Sequence, residues 1–167
     1  DIAATILVHP TYHGYATAIK PIIARLQKRG WAVLVDEAHG TYFTSEIDLN
    51  LPNSSLSAGA DVVVHSLHKS ASGLTQTAAL WLQGKRVDPI AIERSLSWFQ
   101  TTSPNSLLLA SCEASLKDLR SPIGKNKLRE RILEAKEIYK ELQKNEIPLL
   151  ETQDPLKIIL HTASVGI

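Results

Sequence analysis

An α/β fold with a mostly parallel sheet and flanking helices is predicted for this sequence by three observations. Short apolar, β-branched runs recur at residues 4–9 (ATILVH), 31–35 (WAVLV), 61–64 (DVVV) and 77–82 (TAALWL). A helix-spaced stretch lies between the first two, which makes a strand–helix–strand unit and hence two parallel, buried strands. Carboxylates, histidines and a lysine gather just after the second and third runs. That edge, outside the carboxyl ends of the strands, is where open α/β sheets place their ligands.

The elements follow in order. After the first strand, PTYHG at residues 10–14 is a turn with Pro10 and Gly14 as breakers. Residues 15–29 carry Ala18, Ile19, Ile22, Ile23 and Leu26 at helical spacing, with Lys28 and Arg29 in the last turn and Gly30 just beyond. Asp36 then sits at the end of the second strand. Residues 40–59 read as an irregular, partly helical connection. HSLHKSASG leaves the third strand as a polar loop, and TAALWL returns as a fourth strand. Residues 89–99 are helical, and a further helix runs from after TTSP (101–104) to about Leu119. In residues 121–145, Leu128, Ile132, Ala135, Tyr139 and Leu142 recur at spacings of 4, 3, 4 and 3 among charged residues, which predicts a long amphipathic surface helix. LKIIL (156–160) is a strand beyond it. The expected organisation is a ligand-binding part over 1–119, a connecting helix over 120–145 and the start of a following segment over 146–167. The abrupt entry into a strand and the lack of any methionine suggest a piece of a longer protein.

Bulk properties narrow the function. The sequence is 44% apolar and 21% charged, which is globular rather than disordered composition. A formal net charge of +1 gives no field to draw in nucleic acid or an anionic membrane. No apolar run reaches the roughly 18 residues that a membrane span needs. The lone cysteine, Cys112, excludes an internal disulfide framework, fits a reducing compartment such as the cytoplasm, and reads as a small core residue.

LVDEAHG at residues 34–40 admits two chemistries. A nucleic-acid helicase uses Asp-Glu-Ala-His to hold magnesium and position water, but no G-x-x-x-x-G-K-[ST] phosphate loop is present, and SAS at 70–72 sits in a polar loop rather than at a strand end. A metal set of Asp36, His39, His65 and His68 matches no standard zinc spacing, and side-chain alternation sends the two imidazoles of His-x-x-His apart. A pyridoxal 5′-phosphate (PLP) site asks for a carboxylate at a strand end, a lysine on a loop after a neighbouring strand, and hydroxyls and an imidazole beside it. Asp36, Lys69, Ser66 and His68 supply these. Each also has an ordinary explanation as a turn former or solvated loop residue, so spacing by itself leaves the alternatives open.

The motifs carry a resemblance. PTYHG, GWAVLVDEAHG, AGADVVVHSLHKSASGLTQTAALWL, TTSP and DPLKIILHTASVGI, in that order, closely resemble the major domain of the bacterial ornithine/lysine/arginine decarboxylases, a branch of the aspartate-aminotransferase-like (fold-type I) PLP enzymes. Ser-x-His-Lys followed by Leu-Thr-Gln-Thr is specific; DEAHG is shared with related PLP acyltransferases. The resemblance implies PLP-dependent decarboxylation of arginine, lysine or ornithine in a cytoplasmic homodimer or higher homo-oligomer, feeding polyamine synthesis, with no nucleic-acid or membrane partner. It implies that Lys69 carries PLP, Asp36 pairs with the pyridine nitrogen, Ala38 lies against the ring, His39 sits near the ring oxygen and the substrate carboxylate, and Ser66 and His68 hold the phosphate. Thr101, Thr102 and Ser103 match a stretch that reaches the cofactor across a dimer interface. The chain departs from the pattern at Asn105-Ser106, where an aromatic is expected. Lys69, His39 and His68 are all candidates to return a proton to the substrate Cα. An α-oxoamine synthase, an aminotransferase or a non-catalytic relative are the rival readings. A phosphate-binding loop and a ring-stacking residue are expected upstream of Asp1, and a C-terminal domain beyond residue 167, so this piece by itself is expected to bind PLP poorly and to be inactive.

Overall fold

Four strands carry the fold because their apolar residues have a helical layer to bury against. The computed structural model describes residues 3–47 and 49–166; Asp1, Ile2, Asp48 and Ile167 lie outside them. Strand β1 (Ala4–Val8), helix α1 (Ile19–Gln27) and strand β2 (Ala32–Asp36) form the expected unit. Strand β3 (Val62–Ser66), the short helix α2 (Leu67–Ser70) and strand β4 (Ala78–Leu82) follow, then helices α3 (Pro89–Phe99), α4 (Ser106–Arg120) and α5 (Pro122–Lys144). A two-residue hairpin of β5 (Leu149–Leu150) and β6 (Ile159–Leu160) ends the described chain, apart from a final 3₁₀ turn.

The sheet order is β1-β2-β3-β4. β1, β2 and β3 are parallel, with Leu7 opposite Val35 and Val35 opposite Val63, and β4 runs antiparallel to β3. This is the mostly parallel sheet that the sequence predicts. One core lies between the sheet and α1: Ile19, Ile23, Val33, Val35, Ala58, Ala60 and Val63. Each fully buried Val or Ile there contributes roughly 1.5–3 kcal/mol. Tyr42, Phe43, Leu67, Ala71, Leu119 and Ile132 form a second core under α4 and α5, with Cys112 half-buried against it. Asp61, just before β3, is buried and ties the layers together: its carboxylate accepts from Val33 N–H (2.8 Å), Gln27 Nε2 (3.1 Å) and Arg86 (3.2 Å). Among the described residues no helix is long and apolar enough to cross a membrane.

Several expectations need correction. β1 is an edge strand with one bare face, Ile6 being 74% and Val8 60% exposed, so it is not buried on both sides. α1 begins at Ile19 rather than Tyr15. The backbone before it is drawn into other bonds: Tyr15 C=O accepts from Thr11 N–H, Tyr15 N–H reaches the Thr11 hydroxyl, and Ala16 N–H reaches Gln153 Oε1. The stretch after β3 is not a polar loop at its start. It winds into α2 because Leu67, fully buried, drops into the second core. The strand expected over 156–160 shrinks to β6, because Leu156 and Lys157 are held in a turn by Asp154. Its partner β5 had no sequence signal.

α3 starts and stops where the sequence puts it, with Asp88 capping Ile90 N–H at 3.0 Å and Pro89 at the first position. Asn105, the departure noted above, caps α4 by accepting from Leu107 and Leu108 N–H. α4 and α5 meet at Gly124, where an added Cβ would fall 1.8 Å from the Asp118 carbonyl oxygen. Gly124→Ala is therefore expected to cost about 1–3 kcal/mol or more by overpacking against backbone that cannot swing aside, seen as a lower chemical-denaturation midpoint.

Candidate active site

Parallel register brings the site together. Asp36 lies opposite Val64, so the carboxyl end of β2 and the residues leaving β3 emerge on the same edge of the sheet. His9 N–H bonds Asp36 C=O and Glu37 N–H bonds Val64 C=O, both within 3.0 Å, which fixes that edge from either side.

Asp36 is exposed. Its Oδ1 accepts from Ala38 N–H at 3.0 Å, and its other oxygen takes no hydrogen bond among the described residues. Ala38 is buried at 8% exposure. Lys69 projects from α2, and its Nζ lies 3.4 Å from His39 Nε2. Tyr12 meets the His39 ring edge-on at 5.2 Å, and the Lys157 ammonium lies 5.6 Å from the Tyr12 ring. Partial burial and the cations of Lys69 and Lys157 hold the His39 imidazole below its usual range, against a weaker pull upward from Asp36 and Asp154.

His68 is exposed, and its Nδ1 lies 2.8 Å from the Thr77 carbonyl. A carbonyl only accepts, so Nδ1 carries the hydrogen and Nε2 faces outward. The Ser66 hydroxyl makes no hydrogen bond among the described residues, while its carbonyl accepts from the Thr41 hydroxyl at 3.4 Å. Thr101, Thr102 and Ser103 are exposed between α3 and α4. Ser103 N–H bonds Thr101 Oγ1, and no described hydrogen bond joins them to Asp36, His39 or Lys69. The structure thus brings Asp36, Ala38, His39, Ser66, His68 and Lys69 to the ends of β2 and β3, and no hydrogen bond among the described residues joins residues 101–103 to them.

Two polar groups behind this edge had no assigned place in the sequence reading of the site. Glu37 is fully buried beside Asp36. Its Oε1 accepts from Ser55 N–H (2.8 Å) and the Ser55 hydroxyl (3.1 Å), and its Oε2 lies 2.8 Å from His65 Nε2. Trp81 Nε1–H donates to His65 Nδ1 at 2.9 Å. Indole only donates, so His65 Nδ1 is bare and Nε2–H donates to Glu37. His65 and His68 have separate partners, but not through strand alternation, since His68 lies in α2 rather than in β3. The second group is Asp154, also buried, which accepts from the Tyr42 hydroxyl and from Leu156 N–H. Burial and the Asp154 carboxylate push the Tyr42 hydroxyl far up, so it stays a donor; burial likewise pushes Asp154 up, against Tyr42, Leu156 N–H, Lys157 and His39. Strand alternation next to Asp36 was the only sequence signal for Glu37; Asp154 had none.

Comparison with known proteins fixes the class. The fold is that of the large domain of fold-type I PLP enzymes. It matches the constitutive lysine decarboxylase of E. coli (TM-score 0.63, 22% identity, over 83% of this chain and 20% of that one) and the serine palmitoyltransferase of Sphingomonas wittichii (TM-score 0.64, 19% identity, over 89% and 37%). Residues 2–163 match the family model of the Orn/Lys/Arg decarboxylase major domain, and the chain belongs to that family. It is 31% identical to the arginine decarboxylase of Bacillus subtilis over its whole length, and 37% identical to that of Halalkalibacterium halodurans over 71% of it. The chain spans 36% and 24% of those two relatives.

Proposed function

We propose that this chain is the lysine-bearing part of a PLP-dependent decarboxylase of a basic amino acid: arginine, lysine or ornithine. The observation that carries the reading is the meeting of Asp36, with an uncommitted carboxylate oxygen, and the Lys69 amine with His39 beside it, on one edge of a parallel sheet. The family relationship supports it.

The donor set fits PLP. Asp36 would face the pyridine nitrogen with the oxygen that Ala38 leaves free. Buried Ala38 leaves a flat floor where a larger side chain would intrude. The Ser66 hydroxyl is free to meet a phosphate oxygen. Lys69 offers the primary amine that would hold the cofactor. When bound, PLP supplies an electron sink for the pair left at Cα as CO2 departs.

The chain's own residues do the rest. Asp36 keeps the sink effective by favouring a protonated ring nitrogen. His39, held toward its neutral form, presents Nε2 to the Lys69 amine and can take or return its proton. His68 has Nδ1–H committed to Thr77, so it would donate to a phosphate oxygen through Nε2–H only when Nε2 is also protonated. Residues 101–103 would reach the site of the other protomer of a homodimer, as the family resemblance implies; within this chain no described hydrogen bond joins them to Asp36, His39 or Lys69. The whole protein is read as cytoplasmic.

Borohydride reduction of the full-length protein loaded with PLP, followed by peptide mapping, is expected to place a pyridoxyl group on Lys69. Release of CO2 from arginine, lysine or ornithine, rather than acyl-CoA condensation or transamination, completes the test. An unmodified Lys69 in folded, PLP-treated protein would sink the reading. Residues 1–167 by themselves are expected to take up little PLP, and near-stoichiometric uptake would overturn that part of it.

A further inference from the structure

The turn at Asp154, Pro155, Leu156 and Lys157 is built with care that no role assigned so far requires. Asp154 N–H donates to Gly14 C=O at 3.0 Å, and Gln153 Oε1 accepts from Ala16 N–H at 2.9 Å, so the turn is docked on the loop after β1. Tyr42 anchors it from the second core, through a hydroxyl that is itself buried with the ring at 1% exposure. Lys157 N–H closes the turn on Asp154 C=O at 3.1 Å. The Lys157 stem then crosses Gly14: a Cβ on that glycine would fall 2.8 Å from Lys157 Cγ and 2.9 Å from Lys157 Cβ. Gly14 also has φ +88°, a second reason for glycine there. The stem's path delivers the ammonium to the Tyr12 ring, and Tyr12 meets His39, whose Nε2 faces Lys69.

We infer that Lys157 is a positioning residue for the Lys69–His39 pair: carried by the Asp154 turn, it clamps Tyr12, Tyr12 fixes the His39 ring, and its charge keeps His39 Nε2 an acceptor toward the Lys69 amine. The inference rests on the reading of Lys69 and His39 given above. A cation–π contact of this kind contributes about 0.5–1 kcal/mol at an exposed site, enough to bias a ring orientation but not to hold the fold. The groups that face His39 are Lys69 from α2, Asp36 from β2, Tyr12 from the loop after β1, and Asp154 and Lys157 from the returning turn. His13 touches Tyr12 from within its own loop. Removing the Lys157 charge takes away one of the two cations that disfavour a second proton on His39. The sign is therefore fixed: His39 must then titrate at higher pH.

Lys157→Met keeps the stem over Gly14 and removes the charge; Lys157→Arg keeps both. Histidine side-chain NMR of this chain, with the His39 signal assigned by its loss in His39→Gln, should show His39 titrating at higher pH in Lys157→Met and near its original place in Lys157→Arg. In the full-length, PLP-loaded protein, kcat should fall about ten- to a hundredfold in Lys157→Met with KM little changed, since a misplacement of about 1 Å can cost ~10²-fold. The acidic limb of the kcat/KM profile should move to higher pH in step. Tyr12→Leu, which breaks the same relay one link nearer, should give the same loss of kcat. A residue that only packs would leave Lys157→Met equal to wild type in both assays, and that result overturns the inference. If borohydride spares Lys69, the decarboxylase reading fails, and the NMR titration identifies that failure separately because it needs no cofactor.

Discussion

Asp36→Asn is expected to leave the fold intact and to lower kcat on a basic amino acid by on the order of 10²–10⁴-fold. The fold survives because the one side-chain hydrogen bond that Asp36 makes among the described residues, accepting from Ala38 N–H, needs only a carbonyl oxygen, and asparagine has one. What is lost is the charge on the other oxygen, which in the proposed site opposes the protonated ring nitrogen. Breaking one partner of a covered ion pair costs about 3–5 kcal/mol, and each 1.36 kcal/mol is about tenfold in rate. Steady-state CO2 release by the PLP-loaded variant measures the effect. Borohydride labelling of Lys69 in the same variant shows that cofactor attachment persists. A kcat within about threefold of wild type, with full labelling, would mean that Asp36 is not the ring-nitrogen partner.

The residues of this site were legible in the sequence because they obey a local rule. The helix-joined pair β1 and β2 puts Asp36 at a carboxyl strand end, and β3, parallel to β2, brings Lys69 out on the same edge. Local signals were equally good for α3, bounded by Asp88–Pro89 at one end, and for α5, whose Leu128 and Ile132 do face the second core. The misreadings share a different cause, which is tertiary contact overriding local pattern. Leu67 is one apolar residue in a polar stretch, and only the core into which it falls turns that stretch helical. The α1 start moved because a glutamine 137 residues away bonds Ala16 N–H. The segment at 156–160 is apolar like a strand, yet Asp154, bound to a tyrosine 112 residues distant, folds its first two residues into a turn. No periodicity reports which buried polar groups will meet across such distances.

The same limit hid Glu37, whose replacement is expected to give the largest loss of stability in the chain. Glu37→Ala leaves three donors without an acceptor at 0–1% exposure: Ser55 N–H, the Ser55 hydroxyl and His65 Nε2–H. Unmade buried bonds of this kind cost about 1–3 kcal/mol each, partly offset by relaxation, so a total on the order of 3–5 kcal/mol follows. Glu37→Gln is the sharper experiment. Its carbonyl can still serve Ser55, which puts its NH2 against His65 Nε2–H, donor against donor. His65 cannot yield by moving its proton to Nδ1, because Trp81 Nε1–H already occupies that nitrogen. The variant should lose about 1–3 kcal/mol in urea unfolding. Trp81→Phe frees Nδ1, so His65 can switch tautomer and accept from the glutamine. The double variant should then be more stable than the two single losses added together, by about 0.5–3 kcal/mol, although Trp81 makes no hydrogen bond to Glu37. Additivity to within about 0.3–0.5 kcal/mol would show that His65 does not relay between them. The network also matters beyond stability. Glu37 follows Asp36 directly and His65, in β3, precedes Lys69 by four residues, so the Glu37–His65 hydrogen bond ties the residue after the proposed ring-nitrogen partner to the strand that leads into the proposed cofactor lysine. A Glu37→Gln protein held folded at low temperature should for that reason lose kcat as well as stability, and Trp81→Phe should restore part of both.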